Sequence, residues 1–170
     1  MLGIDPGTTG MGYAILDAAR DPAALRECGM VPTPRGGTAG ERLLAIADGL
    51  DALIGVHAPV ALALERLYFN RNVRTAMSVA EARGVALLAA ARVHMAVVEY
   101  TPQEVKLAVT GVGGADKRAV QRMVHILVGQ EIAEDNVADA VAIALTHAYR
   151  ARFERAVAAA SSGDPGVDPS

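Results

Sequence analysis

Apolar positions along the chain follow two rhythms, one suited to strands and one to helices. Leu2–Ile4 is a short apolar run that the turn residues Asp5-Pro6-Gly7 bring to an end. Met11 to Leu16 resumes after Thr8-Thr9-Gly10, and Arg26 to Val31 makes a third run before Pro32 and Pro34. Connections this short favour antiparallel neighbours. Helical spacing then takes over: Leu43, Leu44, Ala47, Leu50, Leu53 and Ile54 share one face of a helix ending near Gly55. Val60 to Leu67 is apolar except for Glu65 and Arg66, the pattern of a central strand covered on both faces. The alanine-rich stretch from about Asn72 to Val93 reads as a long helix, and Val97 to Tyr100 as a short strand. Thr101-Pro102-Gln103-Glu104 has the form of a capping box with proline at the first helical position. The flexible loop Gly111-Val112-Gly113-Gly114 leads into a helix from about Asp116 to Val128, and a last helix runs from about Val137 to Phe153. This order predicts an α/β fold, a mixed sheet with helices on both faces.

Composition narrows the class without choosing a function. A length of 170 residues suits one domain, expected over residues 1–157. A disordered tail is expected over 158–170, where Ser, Gly, Asp and Pro leave little to bury. No window approaches the roughly 18 unbroken apolar residues of a membrane span, and the first residues lack the pattern of a secretory leader. Cys28 is the sole cysteine, so there is no intrachain disulfide and no thiolate pair for zinc. A reduced cytoplasm is the expected compartment. The net charge of −3 conceals an asymmetry. Residues 66–125 carry nine Lys or Arg against four Asp or Glu, a surplus of +5. Local charge governs contact with phosphates because distant charge is screened, so nucleic-acid binding stays open.

Three carboxylates draw attention by position. Asp5 closes the first strand, and the proline after it keeps it extended; an ordinary turn aspartate explains it equally well. Glu65 shares a strand face with Ala61 and Ala63. A buried unpaired carboxylate there costs several kcal/mol, so it calls for a cation, either a basic side chain or a metal. If the first and fourth strands are parallel neighbours, about 4.8 Å apart, Asp5 and Glu65 can share one ion. Asp139 lies near the start of the final helix, where negative charge is favourable in any case. Asn136 and Asp135, three and four residues earlier, share its face, and either also suits an N-cap. Hard oxygen ligands without clustered Cys or His point to Mg²⁺ or Mn²⁺.

Five segments in register resemble the RuvC family of Holliday-junction resolvases. They are Gly3-Ile4-Asp5-Pro6-Gly7, the strand ending in Glu65, Glu81-Ala82-Arg83-Gly84-Val85-Ala86, Gly111-Val112-Gly113 with Ala115-Asp116-Lys117, and Ala138-Asp139-Ala140-Val141-Ala142-Ile143-Ala144. The resemblance implies a ribonuclease-H-like mixed five-stranded sheet, three antiparallel strands followed by two parallel ones. It also implies a homodimer that makes paired symmetric cuts across four-way DNA junctions, in cooperation with the RuvA and RuvB branch-migration proteins. Asp5, Glu65 and Asp139 become ligands of two metal ions per site. Asn136 stands where the family usually has an acid or histidine, so either its amide oxygen or neighbouring Asp135 is the expected fourth ligand. Tyr68 is implied as a wedge between bases and Arg71 as a backbone contact, with Phe69, Asn72 and Arg74 alongside; core aromatics at a strand end are the plainer account of Tyr68 and Phe69. Lys106, Lys117 and Arg118 would reach phosphates, and Gly113-Gly114 would let backbone amides approach one. The Met77–Ala91 helix, rich in small residues, is the candidate dimer face.

Three other readings compete. Residues 3–10 also resemble the first phosphate loop of actin-like ATPases and sugar kinases, although 170 residues leave no room for their second domain. A resolvase-like nuclease of the same fold acting on RNA or other nucleic acid is another, and a junction-binding module that no longer cuts is the third, with Asn136 as its support.

Overall fold

The computed structural model describes residues 1–7, 10–66 and 73–161, with side chains described throughout except at 73–75. Its elements are β1 (Leu2–Asp5), β2 (Met11–Asp17), β3 (Ala24–Val31), α1 (Ala39–His57), β4 (Ala61–Glu65) and α2 (Val73–Arg92). They continue with β5 (Ala96–Tyr100), α3 (Pro102–Thr110), α4 (Lys117–Val128) and α5 (Asp135–Ser161). One sheet runs in the order β3-β2-β1-β4-β5. β1, β2 and β3 are antiparallel neighbours, whereas β4 pairs parallel to β1 and β5 parallel to β4. The expected mixed five-stranded sheet is therefore present.

Period-two alternation divides the strands between two cores. Leu2, Ile4, Met11, Ile15, Leu62 and Leu64 join Ile46, Leu50, Ala82 and Ala86 beneath α1 and α2. Ala14, Leu16 and Ala63 join Val105, Val109, Val120, Val124 and the long buried run of α5. Helix α5 is apolar nearly all round from Val137 to Leu145 because the sheet covers one side and α3 and α4 cover others.

That helix lies unusually close to the strands, and glycine is the reason. A methyl group on Gly12 would sit 2.0 Å from the Asn136 carbonyl oxygen, and one on Gly3 2.5 Å from that of Ala140. Both contacts are with backbone, which cannot rotate aside. Small residues in β1 and β2 thus set how near the start of α5 comes to the strand ends.

Local signals account for most boundaries. Thr101 caps α3 with the reciprocal Glu104 bond expected, and Thr38 with Glu41 does the same for α1. Gly111 ends α3 at φ 75°, a left-handed conformation that glycine adopts without a side-chain clash. Three expected boundaries shift. α1 runs through Gly55 to His57 and closes on Ala58; β4 stops at Glu65, short of Leu67; α5 starts at Asp135 and continues through residue 157 to Ser161. Residues 162–170 lie outside the described residues. No helix among the described residues is long and apolar enough to cross a membrane.

Candidate active site

The parallel pairing of β1 with β4 builds the site. Ile4 is level with Leu64, which brings the following residues, Asp5 and Glu65, to the same height at adjacent strand ends. Alternation then decides their direction. Gly3 and Ala63 face α5, so Asp5 and Glu65, two positions on, face it too. Asp139 comes from the first turns of α5, which Gly12 allows to settle against β2. Three carboxylates from three separate elements converge.

Their ionisation records that convergence. Burial, then the negative charges of Asp139 and Glu65, push the Asp5 carboxyl from 3.8 up to about 7. Burial and then Asp139 raise Glu65 as well, against the pull of Lys106 and Lys117. Asp139 is also raised, mainly by burial, although Lys117 acts the other way. Among the described residues, no three His, Cys, Asp or Glu side chains close into a ready-made metal cage. Like charges placed this close repel one another, and here Lys117 supplies part of the compensating positive charge. Its ammonium lies 3.3 Å from Asp139 Oδ2 and 3.1 Å from Asp135 Oδ2. Burial opposes the charge on Lys117, yet the two carboxylates outweigh it and raise its pKa. The surplus of half-buried negative charge, offered only by hard oxygen donors, fits divalent cations of the Mg²⁺ or Mn²⁺ type.

A cleft of about 260 Å³ opens over Glu65 and Asp139, lined also by Lys106 and Lys117 with Val105 and Ile143 as apolar wall. Lys106 and Lys117 both line the cleft, and Lys117 also pairs with Asp135 and Asp139. Arg118 is exposed on the first turn of α4. Gly114 is open, whereas Gly113 packs against Gln103. Asn136 Nδ2 donates to the Gly10 carbonyl at 3.4 Å, tying α5 to the segment after β1. Asp135 turns toward α4, where Gln121 and Lys117 engage it. Tyr68, Phe69, Arg71 and Asn72 lie outside the described residues, as does the side chain of Arg74.

Two participants escaped sequence reasoning. Gln121 is an uncharged residue on a polar helix face; its only advance signal was its place four residues after Lys117. Arg66, next to Glu65 in sequence, is the basic side chain nearest at hand for that acid. It lies instead 3.8 Å from Glu99, which also pairs with Arg83, while its backbone N–H donates to the Tyr100 carbonyl at 2.7 Å.

Comparison with known proteins agrees with this geometry. The family model described as crossover junction endodeoxyribonuclease RuvC matches residues 1–147. A crossover junction endodeoxyribonuclease RuvC from Chloroflexus aggregans is 48% identical over 154 residues, covering 88% of this chain and 93% of that protein. The solved RuvC structure from Thermus thermophilus superposes with a TM-score of 0.82 at 34% identity, covering 91% of this chain and 97% of that one. The same protein in complex with a Holliday junction substrate gives 0.81 at 35% identity, covering 90% and 94%. With the family model covering most of the chain, and with sequence and fold in agreement over nearly its whole length, this chain belongs to the RuvC family of crossover junction endodeoxyribonucleases.

Proposed function

We propose that the cleft at Glu65 and Asp139, beside Asp5, is where this endonuclease resolves four-way DNA junctions, with those three side chains as its metal ligands. The observation that carries the assignment is the convergence of Asp5 and Glu65, level at adjacent parallel strand ends, with Asp139 from the helix packed over them, and the raised pKa of Asp5 accords with it. Such a cluster is a poor arrangement for stability alone and a good one for gathering cations.

The family is divalent-metal-dependent, and our reading is two ions, Mg²⁺ or Mn²⁺, per site. Bound there, they would lower the pKa of an attacking water and stabilise the departing 3′-oxygen. The protein's own part is to hold its oxygen donors on rigid elements. Asp5 and Glu65 are fixed by the β1–β4 ladder, and Asp139 by a helix packed on that ladder. Lys106 and Lys117 place positive charge beside the acids, where a DNA phosphate would otherwise be repelled. The Asn136 amide oxygen is the fourth donor in this reading. Its neutrality lowers the charge of the site and predicts weaker Mg²⁺ binding than an acid would give. Tyr68, Phe69, Arg71, Asn72 and Arg74 are the proposed DNA contacts that follow Glu65 in sequence, together with Arg118, Gly113 and Gly114.

Two symmetric cuts need two sites, and α2 is the proposed dimer face. Met77 and Leu88 are 61% and 53% exposed, and Gly84 between them has open space above it. Met77, Glu81, Gly84 and Leu88 recur at helical spacing, so they make one outward row. RuvA and RuvB are the proposed partners, and the bacterial cytoplasm the proposed setting.

Asp139→Asn tests the assignment directly. It should bind a synthetic junction as the parent does in Ca²⁺, yet lose on the order of 10³-fold in cleavage in Mg²⁺. Parental cleavage by that variant would remove Asp139 from the metal site.

A further inference from the structure

Asp139 meets α4 through an interlocked row of four side chains. Gln121 Nε2 donates to Asp135 Oδ1 at 2.6 Å, and the Lys117 ammonium spans Asp135 Oδ2 and Asp139 Oδ2. Helix geometry produces the row: residues four apart share a face, so Lys117 and Gln121 of α4 oppose Asp135 and Asp139 of α5. One ammonium is thereby divided between two carboxylates with different neighbours. Asp139 bears on the ionisation of both Asp5 and Glu65. Asp135 bears on Asp139 and Lys117 but is not among the charges acting on Asp5 or Glu65, and it is largely exposed. It stands outside the cluster.

An ammonium and a divalent cation compete for the same Asp139 oxygen, because two positive charges in one small site repel. We propose that Asp135, braced by Gln121, is a positioning residue that holds Lys117 back from Asp139 so that a divalent cation can take its place there. The inference rests on reading Asp5, Glu65 and Asp139 as the metal ligands. Loading the site then costs Lys117 one of its two anionic contacts and leaves the other. Without Asp135, its only carboxylate partners at this end of α5 are the ligands themselves, and it becomes a stronger competitor. Asp135 thus serves metal loading without being a ligand.

Calorimetric titration of the full chain with Mn²⁺, free of DNA, tests this. Asp135→Asn should weaken Mn²⁺ binding about 3- to 10-fold, the range of a partly exposed charge pair. Gln121→Leu, which keeps every charge, should shift it the same way by less. Lys117→Met should not weaken it, and Asp135→Asn should have no further effect in the Lys117→Met background. Unchanged Mn²⁺ affinity in Asp135→Asn overturns the proposal. So does equal weakening with and without Lys117, since Asp135 would then act on the cation directly. Asp139→Asn is the separate control: if it binds Mn²⁺ as the parent does, the ligand assignment itself fails.

Discussion

Replacing Gly12 with alanine isolates the feature that brings α5 to the sheet. The added methyl carbon would lie 2.0 Å from the Asn136 carbonyl oxygen, 2.5 Å from its carbon and 3.0 Å from the Val137 nitrogen. Ordinary contact begins at 3.4 Å, so strand and helix must part by about 1.4 Å along that line. All three opposing atoms are backbone, which leaves no rotamer to absorb the strain. Overpacking of this kind costs about 3 kcal/mol, the upper part of its usual range. In a chain of this size that lowers the melting temperature by about 6–12 °C. The functional cost is separate. Asn136 and Asp139 ride on the displaced turns, and a misplacement of roughly 1 Å at a reacting centre costs on the order of 100-fold in rate. Thermal unfolding and junction cleavage at saturating Mg²⁺ measure the two effects, with junction binding in Ca²⁺ as the control for folding. Gly55→Ala in α1, where nothing lies within 4 Å, is the matched substitution and should be neutral or stabilise by about 0.5–1 kcal/mol. A Gly12→Ala protein that melts and cuts like the parent would refute the close-approach account.

Three further outcomes follow from the same structure. Asp5 has its folded pKa raised from 3.8 to about 7, so between those values the folded state holds a proton that the unfolded state has lost. Without metal, stability should therefore fall as pH rises from 4 to 7, by up to about 4 kcal/mol, and then level off. The gain in melting temperature on adding Mg²⁺ should be larger at pH 8 than at pH 5; equal gains at both would contradict the cluster. Lys106→Ala should weaken junction binding at low salt and reduce the slope of log affinity against log salt by about one, as read by titrations at several KCl concentrations. Leu88→Asp on the outward row of α2 should raise the dimer dissociation constant at least about 30-fold in sedimentation experiments, and an unchanged dimer would move the interface elsewhere.

The fold was legible because its signals are local. Short turns after Asp5 and Asp17 demanded antiparallel neighbours, and the unbroken apolar run before Glu65 demanded a doubly covered strand. Thr101 and Glu104 announced the start of α3 without reference to anything distant. The site was legible only in part. Glu65 stood out because an acid at the end of an apolar strand is costly wherever the chain goes. Asp5 and Asp139 became members of the same cluster through pairings that no local pattern contains, and the family register supplied what periodicity did not. The pairing of Lys117 with the acids of α5 was not legible for the same reason. Its spacing marks a helix face, but only the packing of α4 on α5 brings that face to Asp135 and Asp139. Gly3 and Gly12 read as ordinary small residues in strands until the helix over them was in view.

The pairing of β1 with β4 also governs when the enzyme becomes dangerous to DNA. Asp5 and Glu65 are neighbours in the sheet but sixty positions apart in the chain, and Asp139 comes later still, on α5. Contacts so distant in sequence close late in folding, because their loop entropy must be overcome first. A chain emerging from the ribosome displays each acid singly, with nothing to gather a cation beside it. On the proposed assignment, the three acids can gather a cation only once the finished architecture has brought them together.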